Sequence, residues 1–408
     1  MNILFLSLFD FSDFSSSNIY TDLIQSLIND GHFVYAISPV EKRKSNKTPL
    51  IRTSQYCIIK PRVGNITNTG FFEKAISIYF YKFKIISAIK KNVDCVDLFI
   101  SAVPPITNNS IIKFIKRKFN AKTYLLLKDI WPDSMFDLKM GILSPFKWIA
   151  VFSMKILEKS LYINSDLIGC LSQANVDYLL SHHKYLKKEK VHINPNSIRP
   201  TEFQRKTIKD ITRIRQKYNI PLEQKIFIHG GTVGVGQGFA NIINCMDMCS
   251  NLPCHFVFAG NGVGFYKLKD HCLQNKIENI SFIDKLSQPE YIELLSACDI
   301  GLIFLRFSAK TPNIPSKLLT YLDCSIPVLS CNDLSTDLPE IIKDGDFGWS
   351  CLSDSPFSFK KEIESIINVS NKEIAIKGQN GKQYLVSFFN VENSKRIIIS
   401  SVSNDVGD

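Results

Sequence analysis

Short runs of apolar residues recur along this chain, and a loop and a polar-apolar stretch follow most of them. The runs have the length of a buried β-strand, and the stretches place apolar residues three and four positions apart, which is the period of an amphipathic helix. In the first half, strands are predicted over residues 3–8, 33–38, 98–101, 123–127 and 167–170. Helices are predicted over residues 19–29, 71–91, 109–119 and 146–162.

The same alternation restarts after Pro195. Strands are predicted over residues 225–229, 255–259, 280–283, 300–304 and 328–331. Helices are predicted over residues 238–251, 264–275, 288–298 and 316–323. Continuous apolar strands that alternate with helices indicate parallel sheets covered on both faces. The fold class is therefore α/β, with two doubly wound, Rossmann-like domains in tandem whose strand ends face a central cleft.

The domain boundary is predicted within residues 194–200, which are rich in proline and asparagine and have the composition of a linker. A chain of 408 residues exceeds the size at which a single core stops growing. We expect domains over residues 1–195 and 196–408. The last predicted helix, over residues 373–387, is a candidate to cross back to the first domain.

Composition and cysteine usage exclude several classes of protein. Hydrophobic residues make up 45% and charged residues 21% of the chain, which are globular values. The eleven cysteines are scattered without a C-x-x-C pair, so reduced thiols in the cytoplasm are expected and a bound metal is not. No apolar run is long enough for a spanning helix, and the first residues lack a basic leader. The chain is expected to be neither exported nor anchored through a bilayer.

The net charge of +11 is concentrated in the first third of the chain. Basic side chains alternate there with apolar ones, as on a helix that lies on the anionic inner surface of a membrane. A simple solvated helix face is an equally good interpretation, and nucleic acid is disfavoured because no reader motif is present. The basic positions are Lys82, Lys84, Lys90, Lys91, Lys113, Lys116, Arg117, Lys118 and Lys122.

A candidate anion site lies where a polar turn leads into the helix predicted over residues 316–323. Pro312 and Pro315 stiffen the turn, and Ser316 can cap the helix. The free amides of the first turn and Lys317 could then converge on a phosphate or a diphosphate. An ordinary capped helix is the alternative for this segment alone.

A glycine-rich turn follows the strand predicted over residues 225–229. Five glycines lie within residues 230–238, where the backbone could approach a bound oxygen. The spacing is not that of the dinucleotide-binding fingerprint. Gly260 with Asn261, and Asp284, end the next two predicted strands and could hold a nucleotide base and ribose along the sheet edge; tight turns are the alternative.

In the first domain, Asp129, Trp131 and Asp133 follow a buried strand. Carboxylates beside a tryptophan can bind a sugar through its hydroxyls and its apolar face. Asp129 could instead cap the segment that follows it.

The chain resembles the family-4 glycosyltransferases of bacterial O-antigen and capsule gene clusters, in particular the fucosamine-transferase-like branch. The resemblance covers most of the chain, and the motifs lie at residues 18–23 with Gly31 and His32, 121–132, 194–197, 231–238 and 312–322. It implies a GT-B fold, a nucleotide-sugar donor in the second domain, linked to UDP or GDP, an acceptor in the first domain, and no cofactor or bound metal.

This chain departs from the wider family at two places. The family's pair of glutamates corresponds to Pro312 and Thr320, so Asp323, one turn after Thr320, is the candidate for the ribose contact. The family's arginine and lysine at the glycine loop correspond to Thr232 and Gln237. Arg306 and Lys317 are then the expected sources of positive charge.

These arguments assign the candidate site residues. Lys317 and Asp129 are the catalytic candidates, and Trp131 and Asp133 are the acceptor-binding candidates. The donor-binding candidates are Gly231, Thr232, Gly234, Gln237, Gly260, Asn261, Asp284, Arg306, Asn313, Ser316, Leu318 and Asp323.

The expected activity is that of a retaining glycosyltransferase at the inner face of the cytoplasmic membrane, with retention implied by the resemblance alone. It would move a hexose or deoxyaminohexose onto an undecaprenyl-diphosphate-linked oligosaccharide in O-antigen or capsule biosynthesis. Glycine-loop amides and Lys317 would stabilise the departing diphosphate. The alternatives are a sugar-nucleotide epimerase of the same fold and an inactive nucleotide-sugar-binding protein, the latter raised by the missing glutamates.

Overall fold

The computed structural model describes residues 1–10, 13–14, 16–44, 49–66, 69–133, 145–202 and 206–404. The chain divides into two compact units. The first contains Met1–Arg199 together with Asn390–Asp408, and the second contains Pro200–Phe389.

The first unit is built on a sheet that has eight strands within the described residues. Neighbouring strands are parallel, except that Leu50–Arg52 runs antiparallel to its neighbour at the edge. In spatial order the strands are Val191–Ile193, Leu167–Cys170, Lys122–Leu127, Leu98–Val103, Asn2–Leu6, Phe33–Ile37, Tyr56–Ile59 and Leu50–Arg52. Two further short strands, Val40–Glu41 and Arg62–Val63, pair in parallel with each other.

Helices surround this sheet because its central strands are apolar on both faces. Every residue of Leu98–Val103 is buried. The helices of the first unit are Thr21–Asn29, Phe71–Asn92, Asn109–Phe119, Pro145–Asn164, Gln173–His182 and Val391–Asn404. Single turns of 3₁₀ helix lie at Ile106–Asn108 and Lys188–Lys190.

The second unit has a parallel sheet of six strands within the described residues. In spatial order they are Ile280–Asp284, Cys254–Asn261, Lys225–Thr232, Ile300–Phe304, Val328–Asn332 and Gly348–Leu352. The helices are Ile208–Lys217, Phe239–Cys249, Val263–Gln274, Gln288–Leu295, Lys317–Asp323, Leu338–Asp344, Pro356–Ile367 and Asn371–Phe388, with a 3₁₀ turn at Val235–Gln237. Both units are doubly wound α/β structures, so the predicted α/β class is confirmed.

The end of the chain differs from the expectation. The helix predicted over residues 373–387 is Asn371–Phe388, and it remains in the second unit. It packs against helix Lys317–Asp323, and Gly378 permits a close approach because a Cβ there would lie 2.0 Å from the carbonyl oxygen of Ser325. The segment that joins the first unit is a further helix, Val391–Asn404.

That further helix is held to the first unit by buried polar and apolar contacts. The hydroxyl of Ser394 donates to Oδ1 of Asn194 at 2.7 Å, and the amide of Val391 donates to the carbonyl oxygen of Ile198 at 2.9 Å. Val391 and Ile398 lie in the same apolar cluster as the sheet. Its β-branched residues and serines do not favour a helix on their own, and packing provides the stability that propensity lacks.

Candidate functional site

The glycine loop of the second unit lies at the carboxyl end of strand Lys225–Thr232, and its first two glycines are needed for different reasons. A Cβ on Gly230 would lie 1.8 Å from the hydroxyl of Tyr291, so Gly230 is required by packing. Gly231 has φ +98°, is exposed and has no atom within 4 Å of a Cβ position. Its backbone is therefore the part of the loop that a ligand could approach.

The rest of the loop lies against Arg306. The amide of Gly234 donates to Oε1 of Gln237 at 3.0 Å, so this predicted anion donor already has a partner within the loop. Gly238 has φ +68°, and a Cβ there would lie 3.4 Å from the Cα atom of Arg306. The structure thus brings the glycine loop and the predicted arginine together.

The neighbouring strand ends also meet the loop. Thr232 is in register with Asn261, and their side-chain oxygens are 3.4 Å apart. Gly260 is in register with both Gly231 and Asp284, and a Cβ on Gly260 would lie 2.0 Å from the carbonyl oxygen of Gly231. The predicted residues Thr232, Asn261, Gly260 and Asp284 therefore lie along one edge of the sheet.

Lys317 begins helix Lys317–Asp323, and its ammonium group contacts a histidine. Nζ of Lys317 lies 3.0 Å from Nε2 of His229, which is fully buried in strand Lys225–Thr232. Burial lowers the pKa of Lys317 to about 7. Within the described residues Lys317 forms no ion pair with a carboxylate, so its charge is available to an anion. His229 had no recognisable signal in the sequence, because it lies inside an ordinary apolar strand.

The start of this helix differs in detail from the prediction. Ser316 precedes the helix, but its side chain makes no capping hydrogen bond. The amide of Leu318 donates to the carbonyl oxygen of Pro315 at 3.1 Å and is not open to a ligand. Asn313 is exposed, and its carbonyl oxygen accepts from the hydroxyl of Thr336 at 2.9 Å. The amide of Leu319 likewise donates to the carbonyl oxygen of Ser316 at 3.1 Å, so the side chain of Lys317 is the main feature of this helix start.

Asp323 lies at the opposite end of the helix, about 9 Å from Lys317 along the axis. Its carboxylate accepts hydrogen bonds from the amide and the hydroxyl of Thr201 at 2.9 and 2.7 Å and pairs with Lys382 at 2.6 Å. The ribose contact predicted for Asp323 is therefore not supported, because both carboxylate oxygens are engaged in structural bonds.

In the first unit, the three predicted residues follow strand Lys122–Leu127 in a short turn. The amide of Trp131 donates to the carbonyl oxygen of Asp129 at 3.1 Å, and the indole packs partly buried against the core. The carboxylate of Asp133 pairs with Lys155 at 2.6 Å and accepts from the hydroxyl of Tyr178 at 3.1 Å. Asp133 thus ties two helices to the strand end, while Asp129 is half-buried beside Trp131.

Two titratable residues near Asp133 were not predicted. Glu158 is almost fully buried, and burial together with the Asp133 charge raises its pKa to about 7. Its Oε1 accepts from the hydroxyl of Tyr162 at 3.2 Å and lies 3.6 Å from Nε2 of His183. Burial lowers the pKa of His183 to about 4, so this histidine is neutral at physiological pH.

Lys128 is a third unpredicted residue at the same strand end. Its Nζ donates to the carbonyl oxygens of Asn194 and Pro195 at 3.3 and 3.2 Å, and burial lowers its pKa to about 7. The sequence offered one sign of it, because Lys128 is a charged residue that directly follows a buried apolar strand and precedes Asp129. Lys128 joins the carboxyl ends of two strands of the first sheet.

Two features are absent from the residues that the structure describes. No group of three or more His, Cys, Asp and Glu side chains is arranged to hold a metal ion. None of the described helices combines the length and hydropathy needed to cross a membrane.

Residues 210–384 match the model of the family described as glycosyl transferases group 1. This match covers most of the second unit, and together with two relatives named as glycosyltransferases it identifies the protein as a glycosyltransferase. The matched region contains the glycine loop, Arg306 and Lys317.

Two named relatives agree with this identification. The chain is 22% identical over 306 residues to the probable glycosyltransferase WbjE of Pseudomonas aeruginosa, covering 71% of this chain and 72% of the relative. It is 26% identical over 227 residues to the putative colanic acid biosynthesis glycosyl transferase WcaI of Escherichia coli, covering 55% of each chain.

Solved structures establish the fold of this glycosyltransferase. Sucrose-phosphate synthase from Thermosynechococcus elongatus is similar with a TM-score of 0.76 and 14% identity, covering 99% of this chain and 98% of that one. WaaG, a glycosyltransferase of lipopolysaccharide biosynthesis, has a TM-score of 0.68 at 14% identity and 98% and 99% coverage. Anabaena HepE in complex with UDP-glucose has the same TM-score and identity, with 99% and 100% coverage. The predicted GT-B fold is confirmed.

Proposed function

We propose that this glycosyltransferase moves a sugar from a nucleoside diphosphate donor to a lipid-linked oligosaccharide during synthesis of a bacterial surface polysaccharide. The name of the relative WcaI, which refers to colanic acid biosynthesis, supports a polysaccharide product. The structure of HepE in complex with UDP-glucose supports a nucleotide-sugar donor. O-antigen or capsule is the product class that we propose, and undecaprenyl diphosphate is the proposed carrier.

The arrangement around Lys317 supports this proposal most strongly. A partly buried lysine without a carboxylate partner among the described residues lies on the same sheet edge as the exposed backbone of Gly231 and as Arg306. Charge that develops on a departing diphosphate would be stabilised there by Lys317 and by the exposed backbone of Gly231. The site as proposed requires no cofactor or metal ion.

The stereochemistry and the donor sugar belong to the same proposal. Retention of anomeric configuration and a deoxyaminohexose donor are implied by the resemblance to the fucosamine-transferase-like branch, one of whose motifs lies at residues 312–322. We propose a UDP-linked or GDP-linked sugar, with Asp129 and Trp131 of the first unit on the acceptor side.

We further propose that the first unit docks on the anionic inner face of the cytoplasmic membrane. Helix Phe71–Asn92 exposes an aromatic patch formed by Tyr79, Phe80 and Phe83, whose side chains are 60%, 52% and 50% exposed. Their ring centroids lie 5.2 to 6.3 Å apart. Clustered aromatic rings on a surface suit the headgroup region of a bilayer.

Basic side chains border the aromatic patch. The ammonium group of Lys82 lies 5.3 and 5.0 Å from the ring centroids of Tyr79 and Phe83. Helix Asn109–Phe119 packs beside Phe71–Asn92 and exposes further basic residues. These exposed residues are Lys113, Arg117 and Lys118. Apolar insertion and attraction to anionic lipid would then act on two adjacent helices of the first unit.

A donor screen against lipid-linked acceptor tests the proposed activity. The purified protein is incubated with labelled UDP- and GDP-sugars and with lipid extract that contains undecaprenyl-diphosphate-linked oligosaccharide. Transfer of label to lipid is the expected result. Conversion of one nucleotide sugar into another would support an epimerase, and retention of label without turnover would support an inactive binding protein.

A further inference from the structure

His229 and Lys317 meet at the carboxyl edge of the second sheet although 88 residues separate them in the chain. Nζ of Lys317 lies 3.0 Å from Nε2 of His229. Nδ1 of the same ring lies 3.2 Å from the carbonyl oxygen of Leu302 on the adjacent strand Ile300–Phe304. The imidazole ring therefore bridges a main-chain carbonyl group and the ammonium group.

The ring also forms a hydrogen bond with the backbone of Thr232, and the contact between Nδ1 and Leu302 favours the tautomer with its proton on Nδ1. A carbonyl oxygen only accepts hydrogen bonds, so Nδ1 of His229 has the proton and donates it to Leu302. Nε2 then has a lone pair and accepts a hydrogen bond from Lys317. Burial, and next the charge of Lys317, hold the pKa of His229 well below its usual range, which keeps the ring neutral.

The surroundings fix the orientation of the ring. The hydroxyl of Tyr321 lies 3.3 Å from the same carbonyl oxygen of Leu302 and accepts from the amide of Gly230 at 3.1 Å. The ring centroids of Phe258 and Phe304 each lie 5.6 Å from that of His229. Hydrogen bonds hold the edges of the imidazole, and aromatic rings pack around it.

We propose that His229 is a positioning residue for Lys317, and that it holds the ammonium group at the sheet edge through the lone pair of Nε2. The proposal depends on the proposed function only for the identity of the anion that Lys317 meets. The hydrogen bond itself is a property of the protein without substrate.

Two tyrosines and an arginine lie near the pair. Tyr321 belongs to the helix of Lys317, and Tyr291 belongs to helix Gln288–Leu295 beneath Gly230. Burial raises the pKa of both tyrosines, so both are neutral. Arg306 lies at the glycine loop, against Gly238.

An ammonium group that donates to a neutral acceptor is favoured in its charged form. His229 thereby opposes the effect of burial on Lys317 and keeps a larger fraction of it protonated.

The direct test measures the pKa of Lys317 in the full chain without substrate. Lysine labelled with ¹³C at Cε is followed by NMR over a pH titration, and Lys317→Arg assigns the resonance by its loss. His229→Leu removes the acceptor and should lower the pKa of Lys317 by about one unit, the size expected for a hydrogen bond to a charged group. His229→Gln can accept through Oε1 and donate through Nε2, and it should restore the wild-type pKa.

The second readout is the dependence of UDP binding on pH. If protonated Lys317 is the form that binds, the pH at which affinity begins to fall moves down with the pKa of Lys317. At a pH above both pKa values, His229→Leu should bind UDP about tenfold more weakly, and His229→Gln should not. If His229→Leu shifted the pKa of Lys317 but the wild-type protein bound neither UDP nor GDP, the positioning role of His229 would still hold. The proposed donor site at Lys317 would be contradicted.

His255 provides the matched control. It is also buried in the second sheet, on the adjacent strand Cys254–Asn261, but it is bonded to the hydroxyl of Ser281 at 2.7 Å. His255→Leu should leave the pKa of Lys317 unchanged. His229→Phe, which retains an aromatic ring without an acceptor, replaces His229→Leu if the latter does not fold. An unchanged Lys317 pKa in both variants, or an equal shift in His255→Leu, would overturn the proposal.

Discussion

Lys382 pairs with Asp323 at the carboxyl end of helix Lys317–Asp323, with 2.6 Å between Nζ and Oδ1. The same carboxylate accepts from the amide and the hydroxyl of Thr201. Three segments of the second unit therefore meet at one largely buried side chain: the segment at Thr201, helix Lys317–Asp323 and helix Asn371–Phe388.

This arrangement predicts that Asp323 supports stability rather than donor binding. Asp323→Asn removes the negative charge that pairs with Lys382 and accepts from Thr201, and it should lower stability by about 2 kcal/mol. The affinity for UDP should remain at the wild-type value. Thermal unfolding followed by calorimetry measures the first effect, and a UDP titration measures the second. Asp284→Asn, an exposed change at the predicted donor edge, is the control and should leave stability unchanged.

The sequence placed Asp323 on the helix but did not indicate the partners of its carboxylate. Helical spacing placed Asp323 near the face of Thr320. The side chains that bind Asp323 at this helix end are Thr201 and Lys382, which lie 122 and 59 residues away in the chain. A pattern within one helix contains no information about such partners.

The strands and the edge residues were predictable for local reasons. Continuous apolar runs such as Ile300–Phe304 are buried throughout, as expected for central parallel strands. The glycine loop follows a strand directly, and Lys317 begins the helix that comes after strand Ile300–Phe304, so their position at the sheet edge could be inferred. The role proposed for His229 could not be inferred, because it depends on a contact with a helix that begins 88 residues later.

Removal of the Lys317 charge should greatly reduce turnover. Lys317→Ala deletes a cation beside the proposed diphosphate and should cost about 3 kcal/mol of transition-state stabilisation, or about a hundredfold in turnover. Arg306→Ala should have a smaller effect. Initial rates with saturating donor, on variants whose circular dichroism matches wild type, provide the measurement. Near wild-type turnover in a folded Lys317→Ala protein would place the donor site elsewhere.

Binding of UDP should take up a proton. Burial lowers the pKa of Lys317 to about 7 in the free protein, and a neighbouring diphosphate should raise it. Between these two pKa values the complex holds a proton that the free protein lacks, so affinity should fall as pH rises above 7.

Calorimetry at pH 8 in buffers of different ionisation enthalpy measures that uptake, which should approach one proton for each UDP bound. Lys317→Arg, whose side chain remains charged at this pH, should abolish the uptake. Equal enthalpies in all buffers for the wild-type protein would exclude Lys317 as the residue that is protonated on binding.

The basic helix face should attract the protein to anionic vesicles. Reversal of Lys113, Arg117 and Lys118 to Glu should weaken binding to phosphatidylglycerol vesicles, and added salt should weaken binding of the wild-type protein. Lys116 is not a suitable target, because it pairs with Asp166 at 2.5 Å within the fold. Co-sedimentation with phosphatidylglycerol and phosphatidylcholine vesicles measures both effects.

Substitutions in the aromatic patch test whether aromatic side chains insert into the bilayer, independently of the attraction between basic residues and anionic lipid. Phe80→Ser with Phe83→Ser should weaken vesicle binding while leaving its dependence on salt unchanged, because no charge is altered. If neither the charge reversals nor the serine substitutions changed vesicle binding, the membrane-docking proposal would be contradicted. The basic residues would then be those of an ordinary solvated helix face.

Asp129 should affect transfer without affecting donor binding. It follows strand Lys122–Leu127 in the first unit, beside Trp131, whereas the proposed donor site lies in the second unit. Asp129→Asn preserves size and hydrogen-bonding capacity and removes the charge, so product formation should fall while the calorimetric affinity for UDP stays constant. Asp133→Asn serves as a comparison. Asp133 is paired with Lys155, so this substitution should lower the stability of the protein. If Asp129→Asn abolished UDP binding in a folded protein, Asp129 would belong to the donor site, and the assignment of donor and acceptor to the two units would have to be reversed.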